Sequence, residues 1–386
     1  MAHVLIGWEL GANRGHAVKL ARFGAALREA GHEVSFAVQR IDALSEAEAG
    51  GSPVWQAPLT PRLLISGSRR GGPGSTGMAD ILVRLGMDDE RIVSAMIGGW
   101  EQLVGAIRPD VVIAEYAPFL LLAARGRWPS IAIGTAFSQP PTGIDQLIDG
   151  PPAADQVAVL ATINRALAGH GGEPLAALPQ LFAADKMLPE SYVELDPYAA
   201  TRGAVMARPV AADFAARAGS GEEIFVYGPE RISPDAALWR GLAASGLPVR
   251  IHPQRARPEV LNALGAMGFM VEAEPVEFTT IAERSRLVVS HGGHGFVCAA
   301  MTAGLPQVVC HHDLEKLLNG LAVAREGLGG HVSLATLDPM QFGEDLKRLY
   351  GDEALADRAR DKGAELRGRD QPDGPAEAIA AVAEFA

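Results

Sequence analysis

Cysteine is nearly missing from this sequence: Cys298 and Cys310 are the two in a chain of 386 residues. Two thiols build neither a disulfide framework nor a four-cysteine zinc site. Aromatic residues are scarce at 6% although 48% of the chain is hydrophobic, so the apolar share rests on Ala, Leu and Val. That suits α/β layers with Ala-rich helices. No apolar run approaches the roughly 18 residues of a membrane-spanning helix. Positive charge is in deficit, 34 Lys and Arg against 46 Asp and Glu, for a net −12. Nucleic acid and anionic lipid call for the opposite balance, because Lys and Arg neutralise phosphates. No nucleic-acid partner is expected. The opening residues Met1 to Gly7 carry no basic segment, and Glu9 breaks their apolar run. They read as a first strand rather than a signal peptide, with the cytoplasm as the expected location.

What is present is turn punctuation on a βα rhythm. Forty-four Gly and 26 Pro are spread along the chain, and its length favours two domains. His3–Trp8, a loop through His16, a helix to about Ala30, the stop at Gly31 and the run Glu33–Val38 predict a βαβ unit of a parallel sheet. In that helix Val18, Leu20, Phe23, Ala26 and Leu27 form the apolar stripe, with Lys19, Arg22 and Arg28 toward water. Ser66 to Ser75 reads as a polar, Gly-rich loop, Val111–Glu115 as a buried strand ending in a carboxylate, and 151–200 as helical and irregular. The rhythm restarts at Glu223–Tyr227 and runs through strands at Pro248–His252, Phe269–Glu272, Arg286–Ser290 and Gln307–Cys310. A last helix is expected at Gly374–Phe385. The first βαβ loop lacks G-x-G-x-x-G, and the second strand ends in Val38-Gln39-Arg40 with no acid for a ribose, so hydride transfer on a dinucleotide is disfavoured.

The most informative segment is Ser290-His291-Gly292-Gly293-His294-Gly295-Phe296, then Ala303-Gly304-Leu305-Pro306 and Glu315-Lys316-Leu317-Leu318-Asn319. A buried strand entering a glycine turn that opens a helix forms an anion site, since amides and helix dipole point at one place. Taken alone, the same junction also serves as an ordinary tight turn. The longer pattern resembles the donor-binding segment of family 1 and related family 28 glycosyltransferases: His-Gly-Gly-x-Gly, a helix, Ala-Gly-x-Pro, a strand, an acid-Gln pair, then Asn. The resemblance is clear over 275–335 and weaker over 1–40 and 108–135. It implies a nucleotide-sugar donor, UDP- or dTDP-linked, at His291, Gly292, Gly293, His294, Gly295, Phe296, Glu315, Lys316 and Asn319. This chain departs from the pattern in three places. Phe296 and Val297 replace two hydroxyl residues, Ala299 replaces a ribose-contacting Glu, and Lys316 replaces the Gln. Lys316 is either a surface charge or a reader of a carboxylate on the donor sugar.

The resemblance also implies that His16 is the general base for an acceptor hydroxyl, a role suited to a pKa near neutrality. It puts at Glu115 the carboxylate that orients the imidazole. Otherwise His16 is a cap or surface residue and Glu115 a solvated strand end. His311-His312-Asp313 is not expected to gather on one metal, and the chain has no Asp-x-Asp. The expected fold is α/β, of the GT-B type, with two Rossmann-like domains facing a central cleft. Residues 1–205 would bind the acceptor, 206–370 the donor, and 371–386 would return to the N-terminal domain. The expected activity is inverting, metal-independent transfer of a sugar to a small-molecule hydroxyl, with no cofactor beyond the nucleotide sugar. The alternatives are a sugar-nucleotide 2-epimerase of the same fold and a degenerate sugar-nucleotide-binding auxiliary protein. Oligomeric state and acceptor are not fixed by the sequence.

Overall fold

The computed structural model describes residues 1–11, 14–62, 75–141, 147–148, 154–203, 205–209, 218–228, 236–254 and 256–385. Most of the Gly-rich loop read at Ser66 to Ser75 lies outside them. The chain divides into two units, Met1–Arg208 with Gln371–Ala386, and Pro209–Asp370. Each is built on a six-stranded parallel sheet, the arrangement expected from the βα rhythm.

In the first unit the strands are β1 (His3–Trp8), β2 (Glu33–Val38), β3 (Val54–Gln56), β4 (Val111–Glu115), β5 (Ser130–Thr135) and β6 (Lys186–Glu190). Their order is β3-β2-β1-β4-β5-β6, so the direction of winding reverses between β1 and β4. At that junction Trp8 is registered against Glu115. The carboxyl ends of strands at such a reversal form a natural crevice for a ligand. β1 and β4 are buried along nearly their whole length, as strands covered on both faces must be.

Helix Arg14–Glu29 corrects one expectation. Its core-facing residues are Ala17, Leu20, Phe23 and Leu27, whereas Val18 is exposed. Lys19 is buried rather than in water, because its ammonium pairs with Glu190 at 3.2 Å. Arg22 reaches Glu190 at 3.1 Å and Asp373 at 2.7 Å. Glu190 ends β6, a strand inside the segment expected to be helical and irregular. Helix Gly374–Phe385 packs in the same cluster through Ala378, Ala381 and Val382.

The second unit has β7 (Glu223–Gly228), β8 (Val249–Pro253), β9 (Met270–Val271), β10 (Ser285–Ser290), β11 (Gln307–His311) and β12 (Gly329–Ser333). The order β12-β11-β10-β7-β8-β9 repeats the first topology, with its reversal between β7 and β10. Among the described residues, no helix is long and apolar enough to cross a membrane.

Candidate active site

In the first unit the residues singled out at His16 and Glu115 meet. His16 Nδ1 and Glu115 Oε2 are 2.8 Å apart, with Glu115 1% exposed. Against an ionised carboxylate, which only accepts, Nδ1 is the donor in this contact. The imidazole stacks on Trp8, with ring centroids 5.2 Å apart and planes 17° from parallel. Gly11, at φ +83°, lies so close that a Cβ there would stand 2.1 Å from Nε2. Trp8 and Gly11 are site residues that sequence reasoning missed; the one signal for Gly11 was its place in the loop before the helix.

The surrounding backbone is strained and tied. Tyr116, directly after Glu115, adopts φ +45°, uncommon for a non-glycine residue. Its carbonyl accepts from Leu10 N at 3.2 Å, joining the loops that follow β1 and β4. Glu9 is buried, its carboxyl accepting from Phe119 N at 3.1 Å and Leu120 N at 2.5 Å. Burial pushes this acid up to about 8, against the pull of those amides.

In the second unit β10 delivers Ser290 to the glycine turn. Gly292 has φ +87°, and a Cβ there would meet Val309 Cγ1 at 2.5 Å, so the turn requires glycine on both counts. Ser290 Oγ accepts from Gly292 N at 3.1 Å, and Asn319 Nδ2 donates to Gly292 O at 2.9 Å. Asn319 is thus a buried clamp on the turn. Gly293 opens helix His294–Ala303 without a side-chain cap, and the first amides of a helix have no intrahelical partner. His291 is 6% exposed and its Nδ1 has no hydrogen-bond partner among the described residues. Burial, then the charges of Lys316 and His312, lower its pKa to about 4, so it is neutral at pH 7.

The departures from the family pattern have physical explanations here. Phe296 lies 5.0 Å from Tyr227 with planes 2° from parallel, and 6.4 Å from Phe225. It fastens the first helical turn to β7. Val297 and Ala299 are buried. Lys316 is not a surface lysine: it is 8% exposed, and Nζ contacts Glu315 Oε2 at 2.5 Å and Asp313 Oδ2 at 3.8 Å. Burial works against its charge, but the two carboxylates outweigh it and raise its pKa. His294 has its Nε2 3.6 Å from Cys298 Sγ, while Gly295 is exposed. His311 faces His331, at 5.4 Å between ring centroids, and His312 lies toward His291 at 6.2 Å. No group of three or more His, Cys, Asp or Glu that could hold a metal ion occurs among the described residues.

Comparison with known proteins agrees with this architecture. Residues 260–383 match the family model of the erythromycin biosynthesis protein CIII-like C-terminal domain. The calicheamicin glycosyltransferase CalG4 is 20% identical, with 100% of this chain and 98% of that chain covered, at a TM-score of 0.70. The spinosyn rhamnosyltransferase SpnG is 19% identical over 99% and 100%, at 0.67, and a SpnG structure complexed with thymidine diphosphate is also similar. SnogD from Streptomyces nogalater is 20% identical over 100% and 99%, at 0.64. No protein of curated function matches the chain by sequence. Over its whole length the chain thus has the fold of these glycosyltransferase structures, GT-B, with an erythromycin biosynthesis protein CIII-like match over residues 260–383.

Proposed function

We propose that the chain is an inverting glycosyltransferase that moves a sugar from a UDP- or dTDP-linked donor to a hydroxyl of a small-molecule acceptor. His16 is the general base, Glu115 orients it, and the first unit holds the acceptor. The observation that carries this reading is the 2.8 Å contact between His16 Nδ1 and Glu115 Oε2 at the reversal of strand order. It fixes the tautomer with Nε2 as the basic atom, and it stabilises the imidazolium formed on proton uptake. Attack of the hydroxyl oxygen on the anomeric carbon breaks the bond to the diphosphate and inverts the centre. The proton passes to Nε2, and the diphosphate leaves with the bonding pair.

The second unit supports the donor half of the proposal. Amides at the start of helix His294–Ala303 and the buried, neutral His291 can donate to phosphate oxygens, and this placement suits the developing negative charge. Thymidine diphosphate in a structure of the similar SpnG is consistent with such a donor. On this reading no metal is required, and a chelator leaves turnover unchanged; loss of turnover restored by a divalent ion would count against it.

The direct experiment supplies a panel of UDP- and dTDP-sugars with candidate hydroxyl acceptors and follows nucleotide diphosphate release together with the anomeric configuration of the product. Release that depends on acceptor, with an inverted product, supports transfer. Release without acceptor and recovery of an epimerised sugar would indicate the 2-epimerase chemistry instead. Donor binding without any turnover over the whole panel would indicate an auxiliary binding protein.

A further inference from the structure

The turn that follows β5 is held more firmly than a surface turn requires. Arg202 Nη2 donates to the carbonyls of Ala136 at 2.9 Å and Gln139 at 3.0 Å, while its Nε pairs with Asp196 at 2.6 Å. The Tyr198 hydroxyl donates to Phe137 O at 3.3 Å, and Ser138 Oγ to Thr135 O at 2.9 Å. The side chain that this frame positions nevertheless makes no hydrogen bond to a described residue. Gln139 is 1% exposed, and among the described residues neither its Nε2 nor its Oε1 has a hydrogen-bond partner. A buried amide in that state is costly, and native proteins keep very few without a use for them.

Its neighbours indicate the use. Gly134, at φ +143°, brings three polar groups to one place: a Cβ there would stand 2.4 Å from Ser138 Oγ, 3.6 Å from Glu115 Oε1 and 3.7 Å from Gln139 Nε2. Glu115 spends Oε2 on His16, and no hydrogen bond from a described residue reaches Oε1. Glu115 Oε1 and Gln139 Nε2 thus both lie within 4 Å of the position that a Gly134 Cβ would take, and neither has a hydrogen-bond partner among the described residues. Pairing them satisfies both.

We infer that Gln139 is a positioning residue for the His16–Glu115 pair, donating from Nε2 to Glu115 Oε1 while the imidazole carries the acceptor's proton. The inference rests on the reading of His16 as the base. As Nε2 of His16 gains its proton, Glu115 has to remain ionised and in plane with the ring. A second donor on its far oxygen holds that orientation, as outer hydrogen bonds commonly do for groups that act through a partner. The frame made by Arg202, Asp196 and Tyr198 keeps the amide within reach.

Gln139→Met keeps the volume and removes the donor. The variant should unfold at the same temperature or higher, since a buried unpaired amide is gone, and should keep its acceptor KM and its affinity for nucleotide diphosphate. Turnover should fall about tenfold. In a His16→Ala background the same substitution should change turnover less than twofold, because the pair through which it acts has been removed. An equal loss in both backgrounds, a raised acceptor KM at unchanged kcat, or full turnover in Gln139→Met would each overturn the assignment. Should Gln139→Met not fold, the same cycle is run with Gln139→Leu. Undiminished turnover in His16→Ala alone would show instead that the base reading had failed, a result separable from the others.

Discussion

Gly11 shows how much of this site depends on a residue with no functional group. Its backbone is left-handed at φ +83°, and the space that a Cβ would fill is taken by the His16 ring. Gly11→Ala is therefore expected to strain the loop and displace the imidazole, lowering turnover about tenfold or more while donor affinity stays unchanged. Steady-state kinetics with calorimetric donor binding checks this, and a variant with normal turnover contradicts it. His291 makes a second prediction at this scale. Its pKa is lowered from 6.5 to about 4, so between those values the unfolded chain binds a proton that the folded unit does not. Stability then rises with pH across that window and is lost as pH falls through it. In His291→Asn, unfolding midpoints measured from pH 4 to 7 should vary less steeply than in the parent protein. An identical slope in both proteins would show that His291 is not the buried neutral group described. Lys316 marks the limit of reading single residues. A lysine between Glu315 and Leu317 looks the same in sequence whether it is solvated or buried, and only the fold shows Glu315 and Asp313 closing on it.

At the scale of elements, the sequence was legible where burial is continuous. The βαβ opening, the strand ending in Glu115 and the strand before the glycine turn are uniformly apolar runs bounded by turn residues, and all three stand as read. Three of the four sheet edges were not legible. β3 has three residues, β6 is Lys-Met-Leu-Pro-Glu, and β12 starts with two glycines. Edge strands are short, half-exposed and tolerant of proline, so they lack the run that marks a central strand. Missing β6 also cost the phase of helix Arg14–Glu29, because Lys19 faces inward only to meet Glu190 on that strand. The pairing gives a prediction. Glu190→Ala leaves the buried Lys19 ammonium without its partner, and removing one side of a buried ion pair costs about 3–5 kcal/mol. Urea unfolding should show a loss of that order, and a loss below about 0.5 kcal/mol, the size typical of a neutral surface substitution, would mean that the pair adds little.

For the whole molecule, two copies of one topology place their chemistry at equivalent points, the reversals between β1 and β4 and between β7 and β10. The first holds a hydrogen-bonded imidazole and carboxylate, the second a glycine turn with a buried imidazole. What the sequence reading could not supply is the set of supports around each: Trp8 stacked on His16, Tyr227 on Phe296, and Gln139 beside Glu115. These residues lie far apart in the chain, and only the parallel packing of strand ends brings them together. The division of roles between the two units is the account's central claim, and His16→Ala tests it most directly. Loss of a general base lowers turnover about 10²- to 10⁴-fold. The account predicts that loss across pH 6–9 with nucleotide-sugar affinity unchanged, because donor contacts belong to the other unit. Sugar transfer by His16→Ala at the parent rate over that range would contradict it.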